Sequence, residues 1–400
     1  MSVVGNINPL GCGSYFSVFV DIENSVWVLG ENYNHCLAGY PIKHPHLPSN
    51  IISVACGQCH IIFLDNEGNL WGTGWNGYGQ LALEGKLDRQ KPEKLKAIPT
   101  ITTIHARWNH TLLLDVEGSV WSCGWNSFGQ LGVGHKLEDN AFIPRKLENL
   151  PKMQGICAGE HSSYFWDYNG DVWVTGEVPP QIDFGLPSSS PLKPEKIRTI
   201  QVPVQFVSTI CSHCCFLDVE GNVWTCGSND KGQLGLGENQ IASKPTKVPN
   251  LPTVASVAVG DTNSFFLDVH GVLYHCGGLT GITEAAPRWI PEAIHEGTIF
   301  SALSSNSSHT LASDVDGNVW GWTTSAFRPL GNAYCDPGLP EYKFTPIPNI
   351  KVRSFNKKYP KSARKFCPWC RTFPLVVQIF VHPSLLIKNT PIDAQTFIND

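Results

Sequence analysis

The sequence predicts an all-β fold, a seven-bladed β-propeller built from repeats of about 50 residues, and three observations predict it. The first is a pattern that recurs seven times: Asp, two residues, Gly or Asn, one residue, Val or Leu, an aromatic, two residues, then in six copies Gly. The second is composition. The 400 residues include 37 Gly, 29 Pro and 13 Trp but only 2 Met, and 16% are charged against a usual share of about 25%. Many turns with many aromatics and few charges exclude a disordered chain or a coiled coil. The third is that each copy of the pattern joins two apolar runs through a turn, which is how a hairpin reads.

The copies begin at Asp21, Asp65, Asp115, Asp167, Asp218, Asp268 and Asp314, spaced 44, 50, 52, 51, 50 and 46 residues apart. The four residues before each Asp are mostly apolar, as in Ile61-Ile62-Phe63-Leu64, and predict a strand buried on both faces. The Gly or Asn three places after the Asp supplies the positive φ that a tight hairpin needs. The strand that follows carries Trp27, Trp71, Trp121, Trp173, Trp224, Tyr274 and Trp320 in one slot, large rings placed to pack between neighbouring sheets. A further strand precedes each hairpin, as at Ile52–Ala55 and Val254–Val257. The first of these is expected at Gly5–Leu10, and an eighth copy at Ile347–Phe355. A four-stranded unit of this size cannot bury both faces alone; seven arranged radially can, and closure removes the free edges. One terminal strand is therefore expected to pair in a blade made from the opposite end of the chain.

Three copies add a second signature after the hairpin: Gly74-Trp75-Asn76-Gly77-Tyr78-Gly79-Gln80-Leu81, Gly124-Trp125-Asn126-Ser127-Phe128-Gly129-Gln130-Leu131, and Gly227-Ser228-Asn229-Asp230-Lys231-Gly232-Gln233-Leu234. A Gly-x-x-His element lies eleven residues before the hairpin Gly, as at Gly57 and His60. This combination resembles the regulator-of-chromosome-condensation repeat family over roughly residues 1–355, and the resemblance implies a seven-bladed propeller. Copies 4, 6 and 7 lose the second string, copy 4 running instead through Val178-Pro179-Pro180 to Pro191. The His slot holds Phe16, His60, His110, Ser162, His213, Asn263 and His309, rings expected to fix the backbone of a turn.

Residues 351–400 hold nine Lys or Arg and two Asp or Glu, net +7, leaving 20 basic and 32 acidic residues before them. Two parts are expected, the propeller at 1–355 and a basic extension at 356–400. The acidic propeller disfavours nucleic acid or chromatin as a partner. No run of about 18 apolar residues predicts a membrane span, and the start Met1–Leu10 has no secretory pattern. These features predict a cytoplasmic protein, with the nucleus as the second compartment, and a monomeric propeller.

No nucleophile elbow, P-loop or zinc-protease motif is present, so a non-enzymatic protein without a cofactor is expected. Of three Cys-x-x-Cys pairs, Cys56/Cys59 and Cys211/Cys214 fall within repeats and read as packing. Cys367/Cys370 lies beyond them, a weak candidate for half a zinc knuckle or a redox pair. The resemblance places the two residues before the His slot on one rim, which in the founding member faces a small GTPase. The candidate partner-binding residues are accordingly Gln58, Arg107, Trp108, Asn109, Glu160, His161, Asp261 and Thr262. Arg107-Trp108-Asn109 stands out, because an Arg replaces the Gly of the element beside a Trp, the two commonest interface anchors. The function expected is a protein-interaction scaffold or adaptor; the alternative is a guanine-nucleotide exchange factor for a Ran-like or Rab-like small GTPase.

Overall fold

The computed structural model describes residues 8–31, 37–95, 98–136, 141–238, 241–278, 286–294, 297–307, 309–323, 329–330 and 344–353. These residues form seven four-stranded antiparallel sheets, each with its strands in chain order from the inner to the outer edge. The second blade is representative: Ile51–Cys56, His60–Asp65, Leu70–Gly74 and Arg89–Lys94. Its second strand is buried along its whole length, while its outer strand is largely exposed. The repeat reading of seven blades holds.

The Asp that opens each copy does more than precede a turn. The carboxylate of Asp115 is buried, and its Oδ1 accepts the N–H groups of Glu117 and Ser119 at 2.9 and 2.8 Å. Its Oδ2 accepts the indole N–H of Trp121 at 2.9 Å. The same indole bond recurs from Trp27, Trp224 and Trp320. One side chain thus closes the hairpin and sets the orientation of the ring that packs against the apolar cluster beside it. This triple use of a charged acceptor explains a motif whose ends lie six residues apart.

Blades are also joined by a polar relay. Nε2 of His60, His110, His213 and His309 lies 2.9–3.1 Å from the hydroxyl of Thr111, Ser163, Ser264 and Ser17 in the following blade. Each hydroxyl donates in turn to a main-chain carbonyl, those of Gln80, Gln130, Gln233 and Pro329. Because the hydroxyl proton is committed, the ring must donate from Nε2, and Nδ1 finds no partner. The rings therefore tie blade to blade rather than fixing their own turns. Burial lowers all four from 6.5 to about 3, so they are neutral.

The ring closes with a contribution from each end of the chain. The first blade begins at Leu10–Cys12, not at Gly5–Leu10, and residues 1–7 lie outside the described residues. Thr345–Lys351 is not an eighth inner strand but the outer strand of the seventh blade. Val352 follows it directly and bridges Asp21 of the first blade. The register explains why. In the second blade Ile51 faces Asp65 and Val54 faces Phe63; in the first, Val352 faces Asp21 and Leu10 faces Phe19. Ile22 donates to the Lys351 carbonyl at 3.0 Å, as Asn66 does to Asn50. One inner strand is thus assembled from two chain ends, and around it Leu10, Phe19 and Leu29 pack with Leu311, Ile347 and Val352. The basic segment from 356 onward lies outside the described residues, and with it Cys367 and Cys370.

Candidate functional site

Antiparallel order puts two kinds of loop at one end of every blade: the Gly-x-x-His turn between strands one and two, and the connection between strands three and four. In three blades that second loop staples itself. Asn76 Oδ1 accepts the N–H of Leu81 at 3.0 Å, its amide donates to the Gly85 carbonyl, and Gln80 Oε1 accepts the N–H of Tyr78. Asn126 with Gln130 and Asn229 with Gln233 repeat the arrangement. Asn and Gln are buried, so the loop is a rigid mount for the first and third of its three variable positions. These are Trp75 and Tyr78, Trp125 and Phe128, and Ser228 and Lys231.

In the second and third blades the mounted rings join into a strip. Trp75 meets Tyr78 edge-on at 5.1 Å between centroids, and Tyr78 stacks on Trp125 at 5.8 Å. Trp125 meets Phe128 edge-on at 5.2 Å, and Phe128 stacks on His161 of the fourth blade at 4.0 Å. All five rings are partly exposed. Where the strip ends, carboxylates begin: His161 lies 3.7 Å from Glu160 and 3.4 Å from Glu177. Cys211, in the next blade, is the one exposed cysteine among the described residues. Its thiol is nonetheless pushed up to about 12, first by partial desolvation and then by Glu160, with Asp261 and Glu177 adding to the effect. The pair Cys211/Cys214 is therefore split, since Cys214 is buried in the core.

The residues singled out from the sequence separate into two groups. Gln58, Trp108, Glu160, His161, Asp261 and Thr262 are partly exposed at this end of the propeller. Trp108 sits there with φ of 50°, a left-handed backbone that a bulky residue rarely adopts, and its carbonyl accepts the N–H of Gln58 at 2.7 Å. Asn109 and Arg107 are buried. Arg107 does not face the surface. Its guanidinium crosses to the carbonyls of Ser305 and Val259, at 3.0 and 3.3 Å, so that a residue of the third blade braces the sixth and seventh. Burial works against its charge, and Asp261 is among the groups that support it. Sequence reasoning missed Trp75, Tyr78, Trp125 and Phe128. The signal was available in the second string, two of whose three variable positions are aromatic in copies 2 and 3 and polar in copy 5. No group of three or more His, Cys, Asp or Glu among the described residues is arranged to hold a metal ion.

The fold and this end of the molecule define a class: a closed seven-bladed propeller whose self-stapled loops present side chains on one rim. Models of the regulator of chromosome condensation (RCC1) repeat match residues 51–80, 67–114, 117–166 and 220–267. The chain thus carries RCC1 repeats within residues 51–267. It is 28% identical over 232 residues to the mitochondrial RCC1 domain-containing protein RUG3 of Arabidopsis thaliana, covering 53% of this chain and 51% of that one. It is 33% identical over 108 residues to the regulator of chromosome condensation of Xenopus laevis, a quarter of either chain. The chain thus spans about half the length of the first curated relatives it matches. Among solved structures, Prp20p of Saccharomyces cerevisiae superposes with a TM-score of 0.68 at 22% identity, covering 87% of this chain and 88% of that one.

Proposed function

We propose that this protein is a non-enzymatic interaction scaffold that holds a protein partner on the rim formed by the second to sixth blades. The carrying observation is the strip of five partly exposed rings from Trp75 to His161, four of them mounted on loops whose buried Asn and Gln leave them little freedom. Aromatic side chains held rigidly bury much area at small entropic cost, which is what an interface anchor requires. Glu160 and Asp261 extend the rim as its charged part, and Gln58, Trp108 and Thr262 line it.

The test is affinity capture from cell extract with the full chain, followed by mass spectrometry, comparing the parent with W125A and R107M. W125A is expected to lose captured partners by about tenfold, the usual cost of an anchor. R107M, which removes a brace inside the channel, is expected to lower the melting temperature yet keep the partners. Equal capture by the parent and W125A would defeat the proposal.

A second reading, guanine-nucleotide exchange, is supported by the shared fold with Prp20p, which binds Gsp1p and histones. Exchange asks only that the nucleotide-free GTPase be bound better than the loaded one. Release of labelled GDP from a panel of small GTPases, unchanged by this protein, would remove that reading and leave the scaffold standing.

A further inference from the structure

The rim carries information about the chemistry of what it binds, and here the inference rests on the scaffold reading above. Three hairpin-slot tryptophans have a lysine over the ring: Lys94 over Trp71, Lys146 over Trp121 and Lys196 over Trp173, at 5.8–5.9 Å. In these three blades the lysine that the outer strand places opposite the ring lies over the indole face. Among the described residues no such cation lies over Trp75, Tyr78, Trp125, Phe128 or His161, although all five are partly exposed. The string position that would bring one, Lys231 in copy 5, is Tyr78 in copy 2 and Phe128 in copy 3.

Charge points the same way. The strip ends on His161, flanked by Glu160 and Glu177, and Asp88 lies near its other end, bonded to the N–H of Asn76 at 3.0 Å. Cys211 feels Glu160, Asp261 and Glu177 together, which places three carboxylates around one point of the rim. Rings alone would serve stacked nucleobases equally well. Carboxylates at both ends repel phosphates and favour guanidinium or ammonium groups, which also stack on indole and phenol faces.

We propose that the rim binds a cationic segment of a partner protein, an extended peptide whose arginine or lysine side chains lie over Tyr78 and Trp125 and reach Glu160 and Glu177. Trp75 and Phe128 wall the strip, and the self-stapled loops hold it in register before the peptide arrives, so that little ordering cost is left for binding. An acidic or neutral segment gains nothing from the carboxylates and pays to desolvate them.

The experiment is fluorescence anisotropy with the full chain and three labelled probes: a short arginine–glycine peptide, an aspartate–glycine peptide of equal length, and oligothymidine. The arginine peptide is expected to bind, more weakly as salt rises, and the other two to fail. W125A should weaken it about tenfold, and the double variant E160Q/E177Q should weaken it and flatten its salt dependence, both at unchanged melting temperature. No binding of the arginine peptide, equal binding by all three proteins, or preference for oligothymidine would overturn the inference. The two readings fail separately. Partners captured from extract that depend on Trp125 but ignore E160Q/E177Q would keep the scaffold and sink the cationic segment; partners indifferent to Trp125 would sink the scaffold.

Discussion

Acidification from pH 7 to about 5.5 is expected to unfold this propeller. Six histidines, five of them buried and His105 partly buried, are held neutral: His60, His105, His110, His213, His275 and His309, each lowered by desolvation from 6.5 to about 3. Well above pH 6.5 neither the folded nor the unfolded chain protonates these rings, and there they leave stability unaffected by pH. Below 6.5 the unfolded chain takes up protons that the folded chain refuses, so stability falls as pH falls, and it goes on falling until about pH 3. A single such ring costs about 1.4 kcal/mol per pH unit well below 6.5. Six of them cost about 5 kcal/mol at pH 6 and about 8 kcal/mol at pH 5.5, against a total stability of about 5–15 kcal/mol for a folded domain. Tryptophan fluorescence followed along a pH titration should show one cooperative transition between pH 6 and 5. A folded signal retained at pH 4 would show that the blade-to-blade histidines tolerate charge, and the relay through Thr111, Ser163, Ser264 and Ser17 would need another proton arrangement.

That relay also shows what a sequence can and cannot reveal about such a fold. The hairpins were legible because their chemistry is local. Asp115, Gly118 and Trp121 sit within seven residues, and the bonds that link Asp115 to the turn and to Trp121 form inside that stretch. The histidines were visible as a slot, but their partners lie about 50 residues away in the next blade, so the type of partner could not be read. Arg107 shows the same limit. Its place in the Gly-x-x-His element puts it beside the rim, but the end of an inner strand also faces the channel, and only closure of the ring brings Ser305 and Val259 within its reach. Copy 4 lost its second string without losing its core, because Val178, Ile182 and Phe184 from the replacement segment are buried against Tyr164 and Phe216. The aromatic rim was the opposite case. Its residues fill variable positions of the second string, and a ring at a variable position carries no repeat signal, so only the structure shows that Tyr78 meets Trp125 and Phe128 meets His161.

Removing residues 1–12 should cost about 5 kcal/mol or more. Every other junction between blades is crossed by the chain itself, from an outer strand to the next inner strand. At the junction between the seventh and first blades this crossing carries the described chain only to the bridge at Val352, so the rest of the first inner strand comes from the other end of the chain and is held by packing and pairing alone. Its inner strand has only Leu10, Gly11 and Cys12 from one end and Val352 from the other. Leu10 is fully buried, and losing a buried Leu side chain alone costs about 2–5 kcal/mol. With it go the strand pairing to Phe19, Val18 and Ser17, the bond from the Val20 N–H to Pro9 at 2.9 Å, and the bond from the Asn306 amide to the Cys12 carbonyl at 2.9 Å. The second strand of the first blade, buried along its length, would become an exposed apolar edge. Two measurements check this. The melting temperature of the shortened chain should fall by many degrees, and hydrogen exchange should accelerate first in the strands Phe16–Val20 and His309–Asp314, on either side of the opened junction. The strands of the third and fourth blades, at the far side of the ring, should lose protection only on global unfolding. An unchanged melting temperature would mean that Val352 and the core around Leu311 and Ile347 close the ring without help from the amino-terminal strand.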